Sequence, residues 1–600
     1  MTYMTFDIEA DGLLDEATKI HCISISTDFE EPKCFTDIDH ALKILNWAET
    51  LIGHNIISYD LPLLKKLCSW EPKTNQKIYD TFPISKILWP DISKKDMKLD
   101  IPKKYWGRYS LRAFGYRMDM HKGDMDSYLT MTEEMAAYCK QDVRITSDLF
   151  KRIYKRYESE VDWWESAIDL ELKFARVAHE MEEVGIFFDI DAAIDLYDTL
   201  AIDRDAALDK LKGLVPATVV ELKTPQYWVD PLTFCQYKTK SDAPQEFRKD
   251  LERGPNKTRV TEFNPMSRIQ VADFLMSKGW EPMNTTPTGR PKVDEGTLLA
   301  IDDIPEAVVI AELYRTQKII AMLAEGKEAW MKLTDGERIH PHLNTIGAVS
   351  GRTSCVRPNL QQVPSSRLQY GAECRKLFSA PTGFSLVSCD AKSLEVRCFA
   401  HYMSKYDSGE FAKEVVSGDV HQANADMMKC DRQTAKNTFF ALIYGASPKK
   451  ISTMLDIDVD AASDLVENLF NKRPAMGHLI SGIKRLASNR GYLRGLDGRR
   501  LVPRSEHSSV NLLIQAAGAC VSKQATVNLY NDIIKNRLGC HGVKIVGFIH
   551  DEILLEAPTE TGDVVLEMAV KAFKRTTGQF KLRCDMDGEG SIGKNWYEVH

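Results

Sequence analysis

The stretch Arg432-Gln433-Thr434-Ala435-Lys436-Asn437-Thr438-Phe439-Phe440-Ala441-Leu442-Ile443-Tyr444-Gly445 sets two cations and then two aromatics at a strict interval of four. At that spacing Arg432, Lys436, Phe440 and Tyr444 share one slowly drifting stripe of a helix. The stripe is about 18 Å long at 1.5 Å per residue, enough to address a triphosphate, a sugar and a base in turn. A core face would not carry the cations, and a solvated cationic face would not run on into aromatics.

Working outward, Phe384-Ser385-Leu386-Val387-Ser388-Cys389-Asp390 reads as a strand ending in an acid, followed by a helix over Ser393–Met403. Further on, the apolar runs Val543–Ile549 and Ile553–Leu555 flank His550-Asp551-Glu552, a hairpin with Asp551 at its apex. Turns favour Asp for purely structural reasons. Two distant strand-end acids are nonetheless what a two-metal phosphoryl-transfer site requires.

Asp390–Arg397 (DAKSLEVR), the Rx3Kx7YG pattern of Arg432–Gly445 and His550–Glu552 together resemble motifs A, B and C of family A DNA polymerases. Gly351-Arg352-Thr353, Pro358-Asn359-Leu360-Gln361-Gln362 and Gly495-Leu496-Asp497-Gly498-Arg499 extend the resemblance. Gly418-Asp419-Val420-His421, the ending Gly593-Lys594-Asn595-Trp596 and the lack of a 5′-nuclease segment are most similar to the phage replicative branch, that of short-tailed phages of the T-seven type. The resemblance implies that Asp390 and Asp551 ligate two Mg²⁺ ions (Mn²⁺ being the alternative), with the Ala391 carbonyl as a further ligand and Glu552 close by. It implies that Arg432 and His421 hold the nucleotide phosphates and that Lys436 donates a proton to the leaving pyrophosphate. It further implies that Tyr444 sits at the base-pair pocket, that Phe440 is among the nucleotide-binding residues and that Glu395 is the steric gate against a ribose 2′-OH. It implies too that Arg352 and Gln362, with His507, Asn511 and Gln515 at four-residue spacing on an expected helix, contact the DNA; for that last stripe a plain polar helix face is the competing reading.

At the N-terminus, Phe6-Asp7-Ile8-Glu9 puts two acids on one face of an expected strand. His54-Asn55-Ile56-Ile57-Ser58-Tyr59-Asp60 places Asp60 at the end of a strand, just before a helix near Pro62, where a simple N-cap is the rival reading. Tyr138-Cys139-Lys140-Gln141-Asp142 sets Tyr138 and Asp142 at i and i+4. As an ordered set these resemble the DxE, Nx3YD and Yx3D motifs of DEDD-type 3′→5′ exonucleases. That implies an RNase H-like domain in which Asp7, Glu9, Asp60 and Asp142 hold two divalent ions and Tyr138 orients the attacking water. Such a density of acids is favourable only around a hard cation.

The fold class expected is therefore α/β and α+β multidomain: an RNase H-like exonuclease domain followed by a right-hand polymerase domain. The expected boundaries are 1–155 exonuclease, 156–340 thumb with an irregular insert over 215–263, 341–403 first palm part, 404–509 fingers and 510–600 second palm part. The 600 residues suit several domains. With 78 Lys+Arg against 86 Asp+Glu, the net charge of -8 argues against a surface that grips nucleic acid all over, not against a local basic groove. Thirteen scattered cysteines without zinc spacing read as reduced thiols. No signal peptide or membrane-length apolar run is present, so a host-cell cytoplasmic protein with no membrane association is expected.

Expected partners are primed DNA and dNTPs, with a phage helicase-primase and single-strand-binding protein as replisome partners. The insert 215–263 occupies the place of the thioredoxin-binding loop in the T-seven-type enzymes, which makes host thioredoxin a candidate partner; duplex contact through its basic residues and a solvated loop are the alternatives. Phe440 stands where those enzymes carry Tyr and bacterial repair polymerases carry Phe. Lys392 departs from the small or hydroxyl residue expected in motif A. Two rival readings are a bacterial repair-type polymerase without its 5′-nuclease, and a nuclease whose polymerase-like half is a scaffold.

Overall fold

Alternating apolar residues at the N-terminus build β1 (Tyr3–Ala10), which pairs antiparallel with β2 (Ile20–Thr27). β3 (Lys33–Phe35), β4 (Thr50–Gly53) and β5 (Lys77–Asp80) complete a mixed sheet of order β3-β2-β1-β4-β5, with β4 parallel to both its neighbours. In this computed structural model, which describes residues 2–125, 127, 129–159, 161–215 and 217–600, three helices matter most to that sheet. They are α1 (Asp60–Cys68), α2 (Glu133–Glu158) and α3 (Val161–Val184). Phe6, Ile8, Ile23, Leu63, Ile145, Leu149 and Trp164 close the core among them. On β1 Asp7 and Glu9 leave the face opposite Phe6 and Ile8, whereas on the helices Asp60 shares the buried face of Leu63 and Leu64, and Asp142 that of Cys139 and Val143.

The chain divides into two compact units, one running to Asp189 and resuming over Thr334–His600, the other spanning Ile190–Leu333. Within the second unit α4 (Ile190–Leu214) packs on α5 (Pro305–Ile320) around Leu211, Leu275, Leu298, Ile310 and Leu313. The insert 215–263, expected to be irregular, is built of β-structure. Thr218–Pro225 pairs with Asn256–Thr261, and Trp228–Val229 pairs with both Gln236–Tyr237 and Glu252–Arg253. Its strands carry β-branched residues but bury almost none of them, so the apolar alternation that announces a strand is missing.

In the first unit, β6 (Phe384–Ala391) leads into α6 (Leu394–Asp407). α7 (Val420–Met428) and α8 (Arg432–Ile443) follow, then the long buried helix α9 (Ser509–Lys535). β7 (Lys544–Ile549) and β8 (Glu552–Pro558) form the expected hairpin, β9 (Gly588–Gly593) ends the sheet, and α10 (Gly562–Gln579) packs chiefly on β6 and β9. The sheet order is β7-β8-β6-β9, antiparallel throughout, with Asp390 opposite Glu552.

A buried ion cluster fixes this unit from within. Glu171 on α3 accepts from Lys523 of α9 at 2.6 Å and from Arg499 at 2.7 Å, Arg499 also bonds Asp497, and Lys523 donates to the Thr345 carbonyl at 2.7 Å. All four side chains are 5% exposed or less. Charges so deep are tolerable only because each is paired and hydrogen-bonded. The Gly495–Arg499 motif thus has a mechanical role: a Cβ on Gly351, whose φ is +81°, would lie 2.4 Å from Arg499 Nη1. The cluster thereby seats the turn carrying Arg352.

Candidate active sites

The N-terminal site is a convergence of carboxylates. Asp7 and Glu9 leave the same face of β1, Asp60 opens α1, and Asp142 projects from α2. The strand expected to deliver Asp60 stops at Gly53, and residues 54–59 are a turn. Asp60 is not the helix cap either, since that position is Tyr59. The turn is pinned by Asp80, which the sequence reading missed: its carboxylate accepts from the amides of Asn55 (2.7 Å), Ile57 (3.1 Å) and Phe82 (2.9 Å). A strand-final Asp just ahead of Thr81-Phe82-Pro83, an N-cap signature, was the available signal.

Burial raises all four acids; repulsion between carboxylates adds to it at Asp7, Glu9 and Asp60, while Lys122 and Arg112 hold Asp142 back. Glu9 is pushed up to about 7 by burial and then by Asp142, and Asp60 to about 8 by burial and then by Asp80. Asp7 stands well above the usual carboxylate range through burial, Asp142 and Cys139. Asp142 Oδ1 is buried with no hydrogen-bond partner among the described residues. Asp7, Glu9 and Cys139 each bring a ligand atom within 4.8 Å of the others. Packed, repelling oxygens with an orphaned lone pair fit a hard divalent cation. Tyr138 lies half-buried on the same helix as Asp142, under the ammonium of Lys122 at 4.2 Å from its ring centroid.

The second site lies at the end of the sheet β7-β8-β6-β9. Asp390 is the penultimate residue of β6 and Asp551 sits in the turn of the β7–β8 hairpin, where His550 takes a φ of +62°. Asp390 is pushed up to about 7 by burial, then by Asp551 and Glu552. Asp551 is raised by burial and held back chiefly by Arg352. Two partly buried acids that repel each other across a strand end again suit a divalent cation, with Ala391 in the sheet beside them, opposite Gly588. Glu552 is turned inward: Ser388 Oγ donates to it at 2.7 Å and Trp596 Nε1 at 3.2 Å.

α8 forms as expected, N-capped by Asp431 and C-capped by Tyr444. Gly445 follows with φ +80°, and a Cβ there would meet the His507 carbonyl at 2.3 Å. Tyr444 donates its hydroxyl to Glu395, which also accepts from Arg352 at 2.9 Å. Arg432 bonds Asp419, the N-cap of α7, at 2.8 Å. His421 lies tilted against Phe440 with ring centroids 5.8 Å apart, and its pKa is lowered by burial and then by Lys436 and Arg432, so these three basic groups share one face. Gln362 is exposed, while its neighbour Gln361 bonds Thr353. Asn511 and Gln515 lie half-buried on α9, but His507 precedes that helix and is exposed, so the three do not form one helical stripe. Ser505–Ser508 bonds close a turn there, which delays the helix start. Lys392 is exposed, with its amide bonded to the Asp587 carbonyl.

The DNA polymerase family A model matches residues 237–598. The chain belongs to DNA polymerase family A. It is 30% identical to the DNA-directed DNA polymerases of Enterobacteria phage T3 and Escherichia phage T7, over 99% of its own length and 99% of each of theirs. DNA polymerase I of Aquifex aeolicus is 25% identical over 93% of this chain and 90% of its own. In fold, this family A chain superposes with a TM-score of 0.74 on the POL domain of Pol1 from M. smegmatis in complex with DNA primer-template and dNTP. That likeness comes at 16% identity and covers 99% and 95% of the two chains. Among the described residues of this phage-type polymerase no helix is long and apolar enough to cross a membrane.

Proposed function

We propose that this chain is a template-directed DNA polymerase with a 3′→5′ proofreading exonuclease, acting in phage replication on primed DNA and dNTPs. The observation that carries the reading is the meeting of Asp390 and Asp551 at one sheet end, beside the Arg352–Glu395–Tyr444 group that ends α8. Asp390, Asp551 and the Ala391 carbonyl hold two Mg²⁺ ions. When bound, the pair supplies charge neutralisation and a lowered pKa for the attacking oxygen. Arg432 and His421 bind the triphosphate, and Lys436 Nζ gives a proton to the departing pyrophosphate. Glu395, held from two sides, rejects a ribose 2′-OH, while Tyr444 faces the base pair and Phe440 contacts the bound nucleotide. Arg352, Gln362, His507, Asn511 and Gln515 contact the DNA, Arg352 on minor-groove acceptors. Glu552 braces β8 against β6 and the C-terminal Trp596. In the N-terminal domain Asp7, Glu9, Asp60 and Asp142 hold the cations, and Tyr138 orients the water.

The domain plan is exonuclease 1–155, thumb 156–340 with the insert 215–263, palm 341–403 and 510–600, and fingers 404–509. Host thioredoxin is the insert's partner in this reading; the outward-facing cross-strand pair Val219 and Val260, 64% and 66% exposed, supports a protein docking there. Primer extension tests the whole. With Mg²⁺ and dNTPs a labelled primer lengthens, without dNTPs it is trimmed from its 3′ end, and EDTA stops both. Trimming without extension would favour a nuclease on a polymerase-like scaffold. Phe440 lacks the hydroxyl that can stand in for a missing 3′-OH, so the enzyme discriminates against dideoxynucleotides. Phe440→Tyr raises dideoxy incorporation in a termination assay, and no rise would remove this role.

A further inference from the structure

Lys122 is absent from every motif above, yet it reaches into the N-terminal site. Its ammonium donates to Asp142 Oδ2, lies 4.2 Å from the Tyr138 ring centroid, and is only 14% exposed. It thus touches both members of the Yx3D pair at once. The segment that delivers it is itself fastened. Arg112 donates to the Gly123 carbonyl at 3.1 Å and pairs with Asp124, while Gln141 Nε2 donates to the His121 carbonyl at 3.3 Å. With Oδ2 engaged, the other oxygen of Asp142 is left buried and unpartnered, and the field of Asp142 bears on Asp7 and Glu9.

We propose that Lys122 is a positioning residue of the exonuclease site, fixing the Asp142 carboxylate so that Oδ1 is presented to the divalent cation and holding the Tyr138 ring beside it. This rests on the reading of that site as a metal-dependent exonuclease. A surface ion pair would contribute little and have no preferred geometry; this one is largely buried, charge-assisted and shared with an aromatic face. Groups that orient a metal ligand from behind typically carry about 10–100-fold of metal affinity or activity.

The test uses the full-length chain and Mn²⁺ as the probe, with binding followed by electron paramagnetic resonance. Asp7→Ala first identifies the ions belonging to the N-terminal site. If it removes none, the metal-site reading itself fails, whatever Lys122 does. If it does remove them, Lys122→Met weakens binding of those same ions by about 10–100-fold. It also slows trimming while primer extension stays at the wild-type rate, which shows the fold intact. Lys122→Arg restores most of the affinity. Unchanged Mn²⁺ affinity in Lys122→Met would overturn the proposal, and tighter binding would too, marking Lys122 as a competing cation.

Discussion

The two carboxylate sites of this polymerase are built in opposite ways. The N-terminal site gathers four acids from β1, α1 and α2, all raised by burial, with Lys122 as a counter-charge. The second site rests on two acids that one sheet brings together, and it turns the third, Glu552, into a brace bonded to Ser388 and Trp596. In the first, buried carboxylates repel one another, which a cation would relieve in the function proposed. In the second, register and inward hydrogen bonds do the positioning, and the proposal gives the cations Arg352, Arg432 and Lys436 to the substrate. Acids of the N-terminal site therefore act against stability, whereas Glu552 and the ion cluster beneath Arg352 act for it.

The largest effect expected on stability comes from that ion cluster. Glu171→Gln leaves Lys523 buried with a neutral partner while Arg499 keeps Asp497, and chemical denaturation should show a loss of about 3–5 kcal/mol. A loss under about 1 kcal/mol would mean that water reaches the cluster, against its burial. Glu552→Gln comes next. The amide keeps part of the Ser388 and Trp596 contacts, so the expected cost is about 1–3 kcal/mol of stability, with extension rate reduced less than by loss of a metal ligand. A rate loss as deep as that of an Asp390 substitution would make Glu552 a ligand and erase the contrast between the sites.

Asp60 sharpens the comparison from the other side, through the pH dependence of stability. Its carboxyl is raised from 3.8 to about 8. In metal-free protein the folded state therefore holds a proton that the unfolded state releases, so stability falls as pH rises through that window. Asp60→Asn removes the slope: in EDTA at alkaline pH the variant melts higher than wild type, while its trimming is lost. A lower melting temperature would show that Asp60 is a stabilising partner.

Much of this was legible locally. An apolar run ending in Asp390, the four-residue stripe of α8 and the Tyr138–Asp142 interval are short-range patterns, and secondary structure honoured them. What was not legible depends on partners distant in sequence. Glu552 meets Trp596 only across the sheet, Glu171 finds Lys523 352 residues away, and Lys122 lies in a polar stretch with no periodicity. His507 lies off the helix because a Ser505–Ser508 turn delays its start to Ser509, two residues further on, a detail that spacing alone does not carry. The insert hid its strands because they face solvent on both sides.

The central claim is two separate metal-dependent sites in one chain, and Asp390→Ala against Asp7→Ala on one labelled primer–template with Mg²⁺ measures it most directly. Asp390→Ala should lower extension by roughly a thousandfold or more and leave trimming intact, and Asp7→Ala should do the reverse. Loss of both activities in either variant would contradict the account.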